Sequence, residues 1–462
     1  CSSSTSHTID SPSMDRRQGS HVAVLTFMIP SHAAPMLSIA RWLATHSPAT
    51  YFSFLGVKSS NAAALAPYAK AEVPMPPNVA VYDVWDGVPD GYAFTGKFHE
   101  HFDLFLTAAK GSFERGMQTA EEERGRKITC LLTDAFLWFG REIAAERGGI
   151  RWLPFWTAGC NSLTAHVYTD TLRETIGDVA GKEDEQLTIP GLTKIRVRDL
   201  PEGVVAGRLD SMFSEMLRRM GAEIFHADAV IVNSFEGFDR SCFENLKSEF
   251  KSYLAIGPLD LVTSAPKPPD TYGCLRWLDG RAPASVAYIS FGTVVSPPPH
   301  EIAALAEALE ENGAPFLWSL SESVTADLPE GFLKRTESRG LVVPWTPQAS
   351  ILSHEAVGLF LTHCGWNSIM ESVAGGVPLI CRPFFADQKM NARAVEEVWK
   401  IGVQVESGKL TKDGVLKSIN EVNGNEMMKE NVKSLHDQAK KATAPGGSST
   451  ENLSALVALA SG

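Results

Sequence analysis

The chain is poor in cysteine, and its cysteines lack the spacing of a ligand set. Seven cysteines are scattered over 462 residues, with no Cys-x-x-Cys pair and no Cys/His pattern of the kind that binds zinc. An odd, scattered set argues against a disulfide framework and predicts a reducing, cytoplasmic compartment. No apolar run reaches the length of about 18 residues that a membrane span requires. We therefore expect no membrane span and no metal cofactor.

Basic clusters and two common enzyme motifs are also missing. The chain holds 42 Lys and Arg against 54 Asp and Glu, a net charge of −12, and no dense basic run that would hold a phosphate backbone. Nucleic acid is therefore not an expected partner. The first apolar run is not followed by Gly-x-Gly-x-x-Gly, which disfavours an NAD-type enzyme. The absence of a Gly-x-Ser-x-Gly elbow disfavours a serine hydrolase.

The length predicts two domains of about 200 residues each, because a single core rarely grows beyond about 300 residues. With 44% hydrophobic and 21% charged residues, the composition is that of a globular protein. Each domain is large enough to bury a core of its own. We expect a cleft between them.

Short apolar and β-branched runs alternate with helical segments along the whole chain. The predicted strands are 21–29, 51–56, 128–133, 150–154 and 229–233, followed by 285–291, 316–319, 341–344, 358–362, 378–381 and 402–405. Strands separated by helices imply doubly wound parallel sheets, one in each half of the chain. The predicted fold class is therefore α/β, with two facing Rossmann-like domains.

A proline-rich segment between the two series of strands marks the domain boundary. We assign 14–256 to the first domain, 257–271 to a linker and 272–444 to the second domain. The last residues, about 445–462, read as a short apolar helix that packs back on the first domain. Ligands of such sheets bind beyond the carboxyl ends of the strands, so facing sheets make one site between the domains.

One strand end in the second domain has the features of an anion site. The strand that ends at Thr362 runs through His363 and Gly365 into a helix opened by Asn367 and Ser368. Free backbone N–H groups and the helix dipole make such a turn suitable for a phosphate. Ser368 and Glu371 have the spacing of a capping box, which is the structural alternative for these two residues.

The wider segment resembles the signature of plant family 1 UDP-glycosyltransferases over the 44 residues from Trp345 to Gln388. It comprises Trp-Thr-Pro-Gln at 345–348, His-Cys-Gly-Trp-Asn-Ser at 363–368, Glu371 and Asp-Gln at 387–388. The resemblance implies the two-lobed GT-B fold, in which the second lobe binds the nucleotide sugar and the first binds the acceptor. It also implies UDP-glucose as donor, no cofactor, and a monomer.

The resemblance assigns roles around the donor. Trp345 would stack on uracil, with Gln348 and Glu371 on the ribose. His363, Asn367 and Ser368 would hold the diphosphate, and Trp366, Asp387 and Gln388 the sugar. Gln388 resembles the form associated with glucose users, and an arginine at position 366 is expected to admit glucuronate. The full implied donor set is Thr157, Thr293, Trp345, Thr346, Gln348, His363, Gly365, Trp366, Asn367, Ser368, Glu371, Asp387 and Gln388.

Two residues of the first domain suit the transfer chemistry. The reaction needs a base for the acceptor hydroxyl, and a neutral histidine serves this near physiological pH. His32 follows the first strand, and Asp134 follows the strand 128–133, at the edge where a cleft is expected. Each alone is as often a turn or a helix cap. Both match the base and its carboxylate partner in the family.

Further segments narrow the resemblance to flavonoid 3-O-glucosyltransferases, which act on flavonols and anthocyanidins. They lie at 83–92, 152–159, 163–168, 189–192 and 296–299. By this analogy His99, Phe136, His166 and Phe385 contact the acceptor, although aromatic residues at such positions are equally often domain core. Two alternatives stay open: glucosylation of another plant phenol or hormone, and a nucleotide-sugar binding protein without turnover.

Overall fold

The computed structural model describes residues 19–96, 99–263 and 268–462, and within them thirteen strands form two parallel sheets. The first sheet contains β1 (His21–Leu25), β2 (Tyr51–Val57), β3 (Val79–Val84), β4 (Cys130–Asp134), β5 (Arg151–Trp156), β6 (Val230–Val232) and β7 (Tyr253–Ala255). The second contains β8 (Val286–Ser290), β9 (Phe316–Ser319), β10 (Gly340–Val343), β11 (Val357–Thr362), β12 (Leu379–Cys381) and β13 (Gly402–Gln404).

The strand orders are those of doubly wound sheets. The first sheet runs β3-β2-β1-β4-β5-β6-β7 and the second runs β10-β9-β8-β11-β12-β13, with every pair parallel. In each sheet the order reverses beside the central strand, β1 or β8. The crevice outside the carboxyl ends of those strands is where such sheets bind ligands.

Helices cover both faces of each sheet. The helices of the first half are α1 (Pro30–His46), α2 (Lys58–Lys70), α3 (Glu100–Arg124), α4 (Gly140–Glu146), α5 (Cys160–Val167), α6 (Thr169–Ile176), α7 (Met212–Glu223), α8 (Arg240–Glu249) and α9 (Leu259–Val262). Those of the second half are α10 (Cys274–Asp279), α11 (Pro299–Asn312), α12 (Glu322–Thr325), α13 (Phe332–Thr336), α14 (Gln348–Leu352), α15 (Trp366–Gly375), α16 (Gln388–Arg393), α17 (Lys412–Gly424), α18 (Glu426–Thr443) and α19 (Ser448–Ser461).

Burial on both faces explains why the strands read as continuous apolar runs. Along β1, Val22 and Val24 pack into one core cluster, whereas Ala23 and Leu25 pack into the cluster on the opposite face. All four side chains are fully buried. A parallel sheet between two helix layers leaves no face for polar residues.

The structure corrects the predicted strands at three places. The first strand ends at Leu25 rather than at residue 29, because Pro30 starts α1 with its ring-fixed backbone. Strands β3 and β7 were not predicted at all. The segment assigned to the linker contains the short helix α9, and residues 264–267 within it lie outside the described part.

The final helix, α19, packs on the first sheet. Ser461 accepts a hydrogen bond from Ser20 Oγ at 2.6 Å through its carbonyl oxygen, and Asn452 Nδ2 donates to the Ala255 carbonyl at 2.9 Å. Ser449 Oγ donates to the Gly257 carbonyl at 2.7 Å. The chain therefore crosses twice between the halves, once after β7 and once between α18 and α19. None of the helices in the described ranges is long and apolar enough to span a bilayer.

Candidate active site

His32 and Asp134 form a hydrogen-bonded pair at the carboxyl edge of the first sheet. His32 lies in the first turn of α1 and Asp134 is the last residue of β4, the strand next to β1. His32 Nδ1 is 2.7 Å from Asp134 Oδ2, and Asp134 Oδ1 accepts the N–H of Phe136 at 2.9 Å. The aspartate side chain is fully buried, whereas 14% of the histidine side chain is exposed. The pair predicted from sequence is thus brought together.

Thr157 joins this pair from the next strand. It follows β5 directly, and its Oγ1 lies 3.1 Å from His32 Nδ1. The side chain of Thr157 is buried. Three neighbouring strands, β1, β4 and β5, therefore each place one polar side chain at the same edge of the sheet.

The second lobe presents His363 and the start of α15 at the end of β11. The helix begins at Trp366, with Gly365 in extended conformation as its N-cap. Burial lowers the pKa of His363 to about 4, so the ring is neutral, and its Nδ1 has no hydrogen-bond partner among the described residues. A Cβ at Gly365 would lie 2.5 Å from His363 Nε2. The ring occupies space that only glycine leaves open.

The alternative of a capping box at Ser368 and Glu371 is wrong. Ser368 is the third residue of α15 and not its N-cap, so its hydroxyl is not placed to cap the first turn. Instead, Gln348 Nε2 donates to Ser368 Oγ at 2.9 Å and to Glu371 Oε2 at 2.6 Å. The side-chain oxygen of Gln348, Oε1, accepts a hydrogen bond from the Tyr288 hydroxyl at 3.1 Å.

This cluster brings together several residues predicted to bind the nucleoside. Thr346 Oγ1 is 2.7 Å from the Tyr288 hydroxyl, while the indole of Trp345 is 39% exposed beside it. Burial raises the pKa of Glu371 to about 8, and the charge of Asp260 adds to this rise. Two further residues contribute to the cluster and were not predicted from sequence: Tyr288 of β8 and Asp260 of α9.

The loop from β12 to α16, residues 382–387, carries Phe385 and Asp387 and leads into Gln388. The Gln388 side-chain oxygen accepts the N–H groups of Phe384 and Phe385 at 2.8 and 3.3 Å, which leaves its NH₂ group as a donor. Asp387 Oδ2 accepts from Asn391 at 2.8 Å. Burial raises the pKa of Asp387, opposed by the Asn391 hydrogen bond and by His32 across the lobes. Phe385 is half-buried.

The two lobes meet at the start of α15. Asn367 Nδ2 donates to the Ser31 carbonyl at 3.4 Å, one residue before His32. The Trp366 indole N–H donates to the Asn233 carbonyl at 2.8 Å, and its ring packs against Phe238. Trp366 is only 4% exposed. The indole N–H is therefore engaged between the lobes. The predicted hydrogen bond from Trp366 to the sugar would have to come from its backbone N–H.

The burial of Trp366 also gives a structural reason for a different effect of an arginine there. A guanidinium at this position would lie among Phe238 and Trp399, whose rings are 5.5 and 6.1 Å from the indole. An unpaired buried charge costs several kcal/mol. We now expect Trp366→Arg to disrupt the contact between the lobes rather than to admit glucuronate.

The residues predicted to contact the acceptor are spread over the first lobe and the β12–α16 loop. Phe136 lies with its ring 5.0 Å from that of His32, and Trp156 is 5.6 Å beyond it. His166 packs 5.5 Å behind Trp156, is 4% exposed, and has its pKa lowered to about 4 by burial. His99 precedes α3 and is partly exposed. Thr293, which was predicted to contact the donor and not the acceptor, is exposed in the loop after β8.

One polar cluster was not anticipated from the cysteine spacing. Cys160, Asp239 and Cys242 are buried, with ligand-type atoms all within 4.8 Å of one another. Asp239 is already engaged, because it caps α8 through the Cys242 N–H and accepts from the Trp399 indole. Thr164 Oγ1 lies 2.9 Å from Cys242 Sγ. These partners explain the cluster as internal polar packing.

Two doubly wound lobes that face each other across their carboxyl edges define the GT-B class of glycosyltransferase folds. Known structures and sequences similar to this chain fall in the same class. A structure of a UDP-glucose: anthocyanidin 3-O-glucosyltransferase in complex with UDP superimposes with a TM-score of 0.89 at 38% identity, covering 97% of this chain and 99% of that one.

The family model for UDP-glucoronosyl and UDP-glucosyl transferase matches residues 92–442. An anthocyanidin 3-O-glucosyltransferase of Vitis vinifera is 52% identical over 96% of this chain and 97% of its own length. A flavonol 3-O-glucosyltransferase of Arabidopsis thaliana is 50% identical over 96% and 97%. The chain belongs to the UDP-glucuronosyl and UDP-glucosyl transferase family, as its signature segment predicted.

Proposed function

We propose that this protein transfers glucose from UDP-glucose to the 3-hydroxyl of a flavonol or an anthocyanidin, with inversion at the anomeric carbon. The contact of 2.7 Å between His32 Nδ1 and Asp134 Oδ2, at the edge facing the second lobe, carries the proposal. The two relatives that share about half of their residues with this chain are named for these acceptors.

His32 acts as the general base. Asp134 accepts a hydrogen bond from the Nδ1–H group of His32 and so holds the ring in the tautomer whose Nε2 is free to take a proton from the acceptor hydroxyl. The buried carboxylate then stabilises the imidazolium that forms. The acceptor oxygen attacks the anomeric carbon as the bond to UDP breaks, which gives a β-glucoside.

The second lobe stabilises the departing UDP. The start of α15 offers unpaired N–H groups and the positive end of its dipole, and its first turn contains no acidic residue. His363 and Ser368 line the same end, and neutral His363 has one ring N–H group that donates a hydrogen bond to the diphosphate. Catalysis of this type needs no metal because these donors meet the developing charge.

The donor sugar is held from the β12–α16 loop. Asp387 accepts hydrogen bonds from sugar hydroxyls, and the free NH₂ group of Gln388 donates one. A site that pairs each hydroxyl discriminates steeply against an epimer, because the wrong orientation leaves a buried polar group unpaired. UDP-glucose is therefore the preferred donor over UDP-galactose.

Variants of the pair test the mechanism. His32→Ala should lower kcat by roughly 100-fold or more while the Kd for UDP stays nearly unchanged. Asp134→Asn should lower kcat strongly with the fold retained. His46→Ala, at the exposed end of the same helix, is the matched control and should behave as wild type. Substantial activity of His32→Ala at neutral pH contradicts the assignment of the base.

A panel of acceptors tests the substrate. UDP-glucose turnover is measured with a flavonol, an anthocyanidin, a simple phenol and a plant hormone, and the glucosylated position is determined by NMR. Products at the 3-hydroxyl of the first two acceptors are expected. Preferential use of the hormone or the simple phenol contradicts the proposed acceptor class.

A further inference from the structure

A buried ion pair lies behind the β12–α16 loop. Arg382 donates to Glu301 through Nε at 3.0 Å and through a terminal nitrogen at 2.6 Å, a two-point contact. The side chains are 11% and 2% exposed. The backbone N–H of Leu410 donates to the same carboxylate at 2.9 Å. Burial opposes the charge of Glu301, yet these hydrogen bonds and the arginine hold its pKa below the usual range.

Arg382 is the first residue of the β12–α16 loop, and its side chain contacts the two residues that follow it. One guanidinium nitrogen donates to the Pro383 carbonyl at 3.2 Å, and the guanidinium carbon lies 3.9 Å from the centre of the Phe384 ring. The backbone N–H of Arg382 donates to the carbonyl oxygen of Thr362 at 2.8 Å. Thr362 is the residue before His363. Because the Phe384 N–H donates a hydrogen bond to the Gln388 side chain, a shift of Phe384 would also shift the Gln388 side chain.

Glu301 lies beside a second loop of the proposed donor site. It lies in the first turn of α11, just after the β8–α11 loop of residues 291–298 that carries Thr293. Phe291 in that loop packs edge-on against Phe384, with ring centres 6.0 Å apart. The ion pair and the two phenylalanines therefore join the β8–α11 loop to the β12–α16 loop.

We propose that Glu301 and Arg382 are positioning residues that set the β12–α16 loop relative to the β8–α11 loop, and thereby the choice of donor sugar. The inference rests on the proposed function, in which Asp387 and Gln388 bind the sugar. Neither member of the pair touches the donor. The pair acts through the placement of Gln388, where an error of about 1 Å changes rates severely.

The experiment compares Glu301→Gln and Arg382→Lys with Glu310→Gln. The control is closely matched, because Glu310 lies on the same helix and makes a two-point contact with Arg335 at 2.6 and 3.0 Å, but in solvent. For each protein, kcat/KM is measured with UDP-glucose and UDP-galactose, and the Kd is measured with UDP alone.

The expected result separates the sugar from the nucleotide. Glu301→Gln and Arg382→Lys should lower kcat/KM for UDP-glucose about tenfold and reduce its ratio over UDP-galactose, while the Kd for UDP changes less than about twofold. Glu310→Gln should match wild type in all three. An unchanged glucose-to-galactose ratio in both pair variants overturns the proposal.

A double variant separates positioning from stability. Replacing a buried ion pair with apolar residues often preserves stability. Glu301→Leu combined with Arg382→Met should therefore unfold near the wild-type Tm yet have a reduced ratio of kcat/KM for UDP-glucose over UDP-galactose. Wild-type selectivity in this protein overturns the positioning role.

Asp387→Asn, measured in parallel, identifies which claim fails. Unchanged use of UDP-glucose by Asp387→Asn removes the assignment of Asp387 to the sugar and, with it, the positioning role that rests on this assignment; the role of His32 is tested separately. A loss of activity in Asp387→Asn, with selectivity intact in the Glu301 and Arg382 variants, overturns only the positioning role.

Discussion

At the scale of single residues, Glu371 has the most informative ionisation. Its pKa is raised to about 8 by burial and by Asp260, so the carboxyl is largely protonated at neutral pH. A carboxylate accepts hydrogen bonds from ribose hydroxyls more strongly than a neutral carboxyl does. We expect the affinity for UDP to rise as the pH increases from about 7 to about 9.

The measurement is the Kd for UDP by calorimetry over this pH range. Glu371→Gln should weaken binding and flatten the profile, since glutamine does not titrate. A flat profile for the wild type, or an equal slope in the variant, contradicts the role of Glu371 as a titrating ribose ligand.

The same carboxyl affects stability with a defined sign. Its pKa is 4.5 in the unfolded chain and about 8 in the folded one, so the folded state retains a proton that the unfolded state releases. The resulting stabilisation is complete below pH 4.5 and is lost as the pH rises through about 8. Glu371→Gln should therefore gain stability relative to wild type on going from acidic to alkaline pH, measured as the difference in Tm. A constant difference contradicts the raised pKa.

At the scale of elements, the strands that sequence analysis missed are the two edges of the first sheet. Central strands such as β1 and β11 are buried on both faces and read as apolar runs. Strand β3 is only partly buried and includes exposed Asp83, while β7 has three residues. Short or half-exposed strands leave a weak pattern because pairing with a neighbour, rather than composition, holds them in place.

Site residues that meet only through the fold are likewise not predictable from the sequence. Signature residues such as His363 and Glu371 were predicted because they lie close together along the chain. Arg382 and Glu301 are 81 residues apart and meet only through the fold. Nothing local in either residue indicates that pairing, so the second layer of the site requires the structure.

The N-cap of α15 offers a test at the level of the helix. A Cβ at Gly365 would lie 2.5 Å from His363 Nε2, so Gly365→Ala must displace the ring from the end of the helix. We expect the affinity for UDP to fall about tenfold with the fold retained, measured by calorimetry. Gly424→Ala is the control, because no atom lies within 4 Å of the added carbon at the end of α17. Equal UDP affinity in Gly365→Ala contradicts the assignment of this turn to the diphosphate.

The start of α15 also predicts independence from metal ions. The first turn of a helix has about four N–H groups without partners in the helix, and in the proposed mechanism they would meet the charge of the leaving diphosphate. Full activity is therefore expected in excess EDTA. A loss of turnover that Mg²⁺ or Mn²⁺ restores contradicts this prediction.

At the scale of the whole molecule, the charges that surround the proposed sugar site predict which UDP-sugars are poor donors. Asp387 would face the carboxylate of a glucuronate, and Arg382, at the base of the same loop, is already paired with Glu301. Bringing an unpaired anion into a partly desolvated site costs several kcal/mol. UDP-glucuronate should be a poor donor, with kcat/KM at least about 100-fold below that of UDP-glucose. Comparable values for the two donors contradict this account.

The double passage of the chain between the lobes has a mechanical consequence. Ser449, beside the second crossing, is hydrogen-bonded to the Gly257 carbonyl near the start of the first, so the two connections are held together at this point. A single tether would let the lobes swivel freely about each other. Two adjacent tethers restrict relative movement of the lobes to rotation about one axis, so we expect His32 to return to the same place opposite Asn367 after each such movement.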